Sequence, residues 1–179
     1  SVAFDELLLT LNDDFLSNSY QNHLIGSLRG VWELNKKKKR NQRIYSYNRV
    51  SGEMAGLLTR LAFNLANDVG FDKAELDETG SYTISGIRFA EYLKFDEDYR
   101  LYFRFDEKNT TALRLNAGIG VPLKNLGVLP FEKSYYAGGS NGIRAWDPRT
   151  LGPGAYRDSS NQVTFNNVGE MKLLGSLEY

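Results

Sequence analysis

The sequence predicts an all-β fold, an antiparallel transmembrane β-barrel of which this chain forms a part with about five strands. Two observations lead to this prediction: long segments alternate between apolar and polar residues, and the connections between them are alternately short and long. The chain has 179 residues, with 22 basic and 22 acidic side chains and no cysteine. The even charge balance gives no field that would attract nucleic acid, and the missing cysteines exclude disulfides and thiolate metal sites.

Five segments have the two-residue period of a β-strand. They run about 11 to 15 residues, whereas strands in soluble proteins average five or six, and this length suits a tilted crossing of a bilayer. The segments are Asn22–Asn35, Ile44–Leu58, Tyr92–Phe105, Thr111–Val121 and Gly169–Tyr179.

The segment Tyr92–Phe105 shows the pattern most clearly, because only Glu97 interrupts its apolar face. Its other face carries charges of both signs, as a hydrated barrel lumen does. The solvated face of a soluble antiparallel sheet is the alternative. The charged residues are Lys94, Asp96, Asp98, Arg100 and Arg104.

The connections between these segments alternate in length. NKKKKRNQ and DEKNT are short, whereas the stretches from Leu61 to Glu91 and from Leu123 to Asn167 are long. Outer-membrane barrels alternate short periplasmic turns with long external loops, so both long stretches are predicted to share the outer face. The basic run Lys36–Arg40 is then a solvated charge cluster in a turn.

The long loop, Leu123 to Asn167, is rich in aromatic residues and glycines, and connections of this length are usually functional or disordered. Its composition predicts a folded-in loop that packs against another part of the protein. Glycine permits tight turns and positive φ. The predicted loop-shaping residues are Gly138, Gly139, Gly152, Pro153 and Gly154.

The sequence contains the motifs LPFEKSYYAGG, SNGIRAW, RTLGPGAYR and GEMKLLGSLEY. These motifs resemble those of the BamA/TamA-like outer-membrane barrel-assembly superfamily, or bacterial surface antigen family, in its Bacteroidetes form. Weaker similarity extends upstream to HLIGS. The resemblance implies a 16-stranded barrel in the bacterial outer membrane, of which this chain is a C-terminal barrel fragment, with POTRA domains and the final strands outside it. The long loop, residues 123–167, then corresponds to the sixth external loop, and the resemblance implies that it folds back toward the lumen.

The tip of the long loop carries the motif that the resemblance identifies as functional. The family signature Val/Ile-Arg-Gly-aromatic matches Ile143, Arg144, Ala145 and Trp146, preceded by Gly142, with alanine in place of the signature glycine. The resemblance implies that the arginine contacts acidic residues on later strands, beyond the end of this chain. A guanidinium can bind a carboxylate bidentately and so hold a loop. The alternative is an exposed loop arginine beside an interfacial tryptophan.

The resemblance implies that the protein assists the insertion, assembly or translocation of other outer-membrane proteins, with no covalent chemistry and no cofactor. The implied partners are outer-membrane lipids, client proteins and periplasmic or lipoprotein accessory subunits. Three alternatives stay open: the barrel of a patatin-like phospholipase fusion, a passive pore or secretion channel, and a soluble β-domain.

Three other signals are discounted. GGSNG has the letters of a nucleophile elbow around Ser140, but the single histidine, His23, lies upstream and no helical pattern follows. These glycines also lack the lysine of a phosphate loop. Asp96 and Asp98 share a strand face with Lys94 and Arg100, so ion pairing is a simpler role for them than metal binding.

Overall fold

The computed structural model describes residues 22–36, 42–68, 75–76, 80–152, 154 and 167–179. Within these residues, no helix is long and apolar enough to span a membrane. The elements are β1 (His23–Leu24), β2 (Ser27–Asn35), β3 (Ile44–Ala55), α1 (Leu57–Asp68), β4 (Glu75–Leu76), β5 (Tyr82–Ile84), β6 (Ile87–Phe89), β7 (Tyr92–Arg104), β8 (Thr110–Pro122), a 3₁₀ turn (Phe131–Lys133), β9 (Tyr135–Tyr136), β10 (Val168–Gly169) and β11 (Met171–Glu178).

The five long strands form one sheet in the order β11-β8-β7-β3-β2. They correspond to the five predicted segments, so the prediction of an all-β, antiparallel fold is confirmed. Strands β11 and β8 pair antiparallel from Met171 opposite Ile119 to Glu178 opposite Ala112. The first predicted segment is divided in the structure, because β1 ends at Leu24 and pairs with β6 rather than with β3.

At the end of β3 and along β11, the polar face of the sheet is more buried than the apolar face. In β3, Ser51 and Glu53 are 4% and 8% exposed, whereas Met54 between two buried residues is 41% exposed. In β11, Leu173 is 80% exposed and the neighbouring Lys172 is half-buried. A sheet in water shows the opposite arrangement, with its apolar face in the core. Apolar outside and polar inside is the arrangement of a transmembrane barrel.

The predicted extension of the second strand to Leu58 is wrong, because the chain leaves β3 at Ala55 and enters α1. Gly56 makes this change possible with φ +74°, and a Cβ there would lie 2.5 Å from the carbonyl oxygen of Ala90. The first helical hydrogen bond follows, from the Arg60 N–H to the Gly56 oxygen at 2.8 Å. The sequence carries a signal for this helix, because leucines recur at intervals of three and four residues. These leucines are at positions 57, 58, 61 and 65.

The described residues fall into two compact units: those that lie within 22–28, 54–93 and 120–134, and those that lie within 29–53, 94–119 and 135–179. The first unit contains a small sheet in the order β1-β6-β5-β4, with β1 parallel to β6. Ser85 and Gly86, both at positive φ, form the two-residue turn between β5 and β6. The buried core residues of this unit are Ala55, Ala90, Tyr92 and Leu129.

Asn125 connects the start of the long loop to the small sheet of the first unit. Its side chain is 3% exposed and accepts a hydrogen bond from the Tyr82 N–H at 2.7 Å. Its amide nitrogen donates to the backbone oxygens of Tyr82 and Phe89 at 3.0 and 2.9 Å. One side chain therefore satisfies three backbone groups that β5 and β6 present at this edge.

Candidate functional site

The base of the long loop is attached to the second unit through Tyr135, at the start of β9. The residue is 9% exposed, and its hydroxyl lies 2.7 Å from Asp96 Oδ1 and 3.2 Å from the Phe95 oxygen. A hydroxyl has one proton, and the shorter contact to a carboxylate is the stronger bond. Lys94 adds a cation–π contact, with Nζ 4.1 Å from the ring centroid. Residues of β7 thus hold the loop base.

Gly118 of β8 provides the space in which the Tyr135 ring lies. A Cβ at this position would come within 2.6 Å of ring atoms Cε1 and Cζ. Burial raises the pKa of the Tyr135 hydroxyl above its ordinary value, and the hydrogen bond to Asp96 and its negative charge add to the rise. The hydroxyl therefore remains a neutral donor.

Asp98 is the centre of a charged cluster on the polar face of β7 and β8. Arg100 binds its two carboxylate oxygens at 3.0 and 2.9 Å, and Arg114 binds them at 3.1 and 2.7 Å. The remaining terminal nitrogen of Arg114 donates to the Asn141 backbone oxygen at 3.0 Å. Arg114 therefore binds the strand carboxylate bidentately and joins it to the tip of the long loop through one further hydrogen bond.

The loop tip closes on itself through backbone hydrogen bonds. The Gly139 N–H donates to the Trp146 oxygen and the Arg149 N–H to the Ala137 oxygen, both at 2.9 Å. Gly138 has φ +93°, and a Cβ there would overlap the backbone oxygen of Asp147. These contacts make the segment from residue 137 to 149 a closed loop.

Gly142 and the predicted loop-shaping glycines differ in their backbone conformation. Gly139, Gly152 and Gly154 also have positive φ, whereas Gly142 is constrained by its closeness to the Gly138 oxygen, 2.8 Å from a Cβ placed there. Pro153 lies outside the described residues.

Arg144 extends from the tip to β11, where its Nη2 lies 3.0 Å from Glu178 Oε1. The two side chains are 73% and 59% exposed, and an exposed pair of this kind contributes about 0 to 1 kcal/mol. The family resemblance implies a partner for Arg144 on strands beyond this chain, and a contact with those strands stays a prediction. Trp146 is 49% exposed.

Ala145, which departs from the glycine of the signature, does not strain the tip. Among the described residues, the non-glycine residues with positive φ are Ser85 and Arg149, so Ala145 lies outside the region that favours glycine. Its alanine side chain is exposed. The signature residues Gly142 to Trp146 therefore form a tip that accommodates alanine at this position.

The structure brings the long loop onto residues of β7 and β8 that the sequence did not connect with it. Tyr135 lies 17 residues after Gly118, over which its ring packs, and Asn141 lies 27 residues after Arg114, from which its backbone oxygen accepts a hydrogen bond. The signal available in the sequence was the position of Arg114 and Gly118 on the polar face of the same strand. Within the described ranges, no group of three or more His, Asp or Glu side chains could hold a metal ion.

The buried polar face, the exposed apolar face and the attached loop agree with the comparison against known families. Residues 21–179 match the model of the Omp85 superfamily domain. The chain belongs to the Omp85 superfamily. This membership confirms the predicted relation to BamA and TamA and the location in the bacterial outer membrane. No solved structure matches the chain.

Membership of the Omp85 superfamily indicates what each face of the sheet contacts. The apolar face of this Omp85 domain meets lipid, and the polar face with Asp96, Asp98 and Arg114 lines the inside of the barrel. The superfamily is associated with the assembly and translocation of outer-membrane proteins in general. The Bacteroidetes form and the place of the chain in a larger protein stay predictions.

Proposed function

We propose that this chain is part of the barrel of an outer-membrane protein that assists the insertion of other outer-membrane proteins, and that its long loop keeps the barrel strands in register. The proposal includes no covalent chemistry. The observation that carries it is the attachment of the loop base, where Tyr135 donates to Asp96 and occupies the space over Gly118. A loop held there joins β7 and β8 on the polar side, in addition to the backbone bonds of the sheet.

The function needs strands that can separate in one place while they stay paired in others. Residues of both β7 and β8 contact the loop, and Arg114 adds the bond to the Asn141 oxygen. Such cross-links raise the free energy needed to separate these two strands. The loop then confines strand opening to other parts of the barrel, as an insertase requires. The clients are other outer-membrane barrels, and the surrounding lipids are the second partner.

Chromosomal replacement in the full-length protein tests the proposal. Tyr135→Phe removes the hydroxyl of the loop base, and Arg144→Ala removes the guanidinium that the family resemblance directs to later strands. We expect both variants to lower the steady-state amounts of other outer-membrane proteins. Asn141→Ala is the matched control, because it keeps the backbone oxygen that accepts the bond from Arg114.

The amounts of the variant protein and of several client barrels are measured in outer-membrane fractions. Normal client levels in Tyr135→Phe and Arg144→Ala cells would contradict the role of the loop. Altered conductance with normal client levels would favour a passive pore. A loss of one secreted protein alone would favour a single-client channel.

A further inference from the structure

Helix α1 exposes a row of leucine side chains that the fold of the first unit does not bury. Leu58, Leu61 and Leu65 are 66%, 55% and 57% exposed. Their spacing of three and four residues puts them on one face of the helix. Single exposed leucines are ordinary on a protein surface, but a continuous row on one face marks a contact with another apolar phase.

The opposite face of α1 is fixed to the first unit. Arg60 donates to both carboxylate oxygens of Glu91 at 2.9 and 2.7 Å, and Glu91 is 2% exposed. Phe63 stacks on Tyr82 and Phe89 with ring centroids 6.2 and 5.9 Å apart. A bidentate guanidinium bond is directional, so it sets the rotation of the helix about its own axis. The leucine row is therefore held outward by the fold.

The strands of the same unit show which phase this row meets. Leu28, Met54, Leu93 and Val121 are 60%, 41%, 42% and 45% exposed and belong to the apolar face of the sheet. In an outer-membrane barrel this face meets lipid acyl chains. Met54 is the last outward residue of β3, and α1 begins at Leu57, so the leucine row continues the lipid-facing row along the chain.

The position of α1 in the connection indicates the leaflet. The helix lies in one of the two long connections, and long connections of outer-membrane barrels lie on the external side. Its 12 residues correspond to about 18 Å, which is shorter than the bilayer core, so the helix is too short to cross the membrane.

We propose that α1 is an interfacial helix whose row of Leu58, Leu61 and Leu65 inserts into the acyl-chain zone of the outer leaflet. The Arg60–Glu91 pair holds it in that orientation. The helix thus anchors the external end of β3 to the membrane surface.

Spin-label accessibility in the full-length protein tests this proposal. Leu58, Leu61 and Leu65 are replaced one at a time by cysteine, labelled with a nitroxide and reconstituted in nanodiscs of phosphatidylcholine and phosphatidylglycerol. Asn64→Cys is the matched control, an exposed polar position on the same helix outside the row. Collision rates with oxygen, which concentrates in lipid, and with a water-soluble nickel chelate are measured. Single replacements keep the test valid if one variant fails to fold.

We expect the three leucine positions to be accessible to oxygen and protected from nickel, at a depth of about 5 to 10 Å, and Asn64 to show the reverse preference. Nickel accessibility equal to that of Asn64 would place the row in water and overturn the proposal. Protection from both reagents would mean that protein covers the row, which overturns it equally.

Discussion

Removal of one oxygen atom at the base of the long loop should destabilise the barrel measurably. Tyr135→Phe keeps the ring over Gly118 and its contact with Lys94, but it deletes the hydroxyl that donates to Asp96 at 2.7 Å. Hydrogen bonds to charged groups contribute roughly 1.5 to 3 kcal/mol. Because Tyr135 is 9% exposed, water does not readily replace the lost donor. We expect the free energy of unfolding to fall by about 2 kcal/mol.

The assay is urea unfolding of the full-length barrel in detergent or lipid, followed by tryptophan fluorescence. Tyr136→Phe is the matched control, since it makes the same chemical change one residue later. Tyr136 is 44% exposed, and Phe retains the ring over which Arg149 lies at 5.0 Å. This control should change the free energy of unfolding by less than about 0.5 kcal/mol.

Two further results decide whether the lost energy belongs to the Tyr135–Asp96 bond. In a cycle with Asp96→Asn, the two changes should be strongly non-additive, because both remove the same contact. Additive decreases in the free energy of unfolding would show that the Tyr135–Asp96 bond does not provide the lost stability. Equal decreases for Tyr135→Phe and Tyr136→Phe would show the same.

The pH dependence gives the second result. The pKa of Tyr135 is raised in the folded protein, so the folded state keeps a proton that the unfolded state loses above the ordinary value of 10.0. The stabilisation is complete below that pH and declines above it. The difference between the wild type and Tyr135→Phe should therefore shrink above pH 10.0.

Three other changes test the account of the fold. Gly56→Ala should lower the free energy of unfolding by about 2 kcal/mol more than Gly86→Ala does. Both glycines have φ +74°, but only a Cβ at position 56 would meet a backbone oxygen. Similar decreases for the two variants in urea unfolding would contradict this expectation. Asn125→Asp removes two donated hydrogen bonds and buries a charge. We expect the free energy of unfolding to fall by about 3 kcal/mol in the same assay. A decrease as small as that of a typical surface substitution would contradict the described contacts. Asp106 should make the turn between β7 and β8 sensitive to acid, because hydrogen bonds from the Asn109 side chain and from backbone N–H groups lower its pKa below 3.8. Protection of the turn amides from exchange should be complete above pH 3.8 and decline as the pH falls below it, and Asp106→Asn should remove this dependence.

The five long strands could be predicted because their signal is local and repeated. Alternation over a strand of 13 residues, as in β7, assigns each side chain to a face, and the exposures of Leu93 and Lys94 follow that assignment. Helix α1 was missed because alternation persists through Met54 and Gly56, and only the positive φ of Gly56 separates strand from helix. Short apolar runs fit both the two-residue period of a strand and the period of about 3.6 residues of a helix.

The loop motif could be located from the sequence, but the attachment of the loop could not. Tyr135 meets Asp96 through the folded chain, and no spacing along the sequence indicates which tyrosine of the loop makes this contact. The same holds for Arg114, whose bond to the Asn141 oxygen depends on the path of the backbone. Contacts of a long loop with a sheet are tertiary, so periodicity carries no information about them.

Client insertion into lipid vesicles shows whether this barrel acts as an insertase. The full-length protein is reconstituted in lipid vesicles, an unfolded client barrel is added, and its assembly is followed by the gel mobility of unboiled samples. We expect vesicles with the protein to assemble the client faster than empty vesicles. Tyr135→Phe should reduce this gain in rate, whereas Tyr136→Phe should preserve it. Assembly at the rate of empty vesicles would contradict the assignment as an insertase.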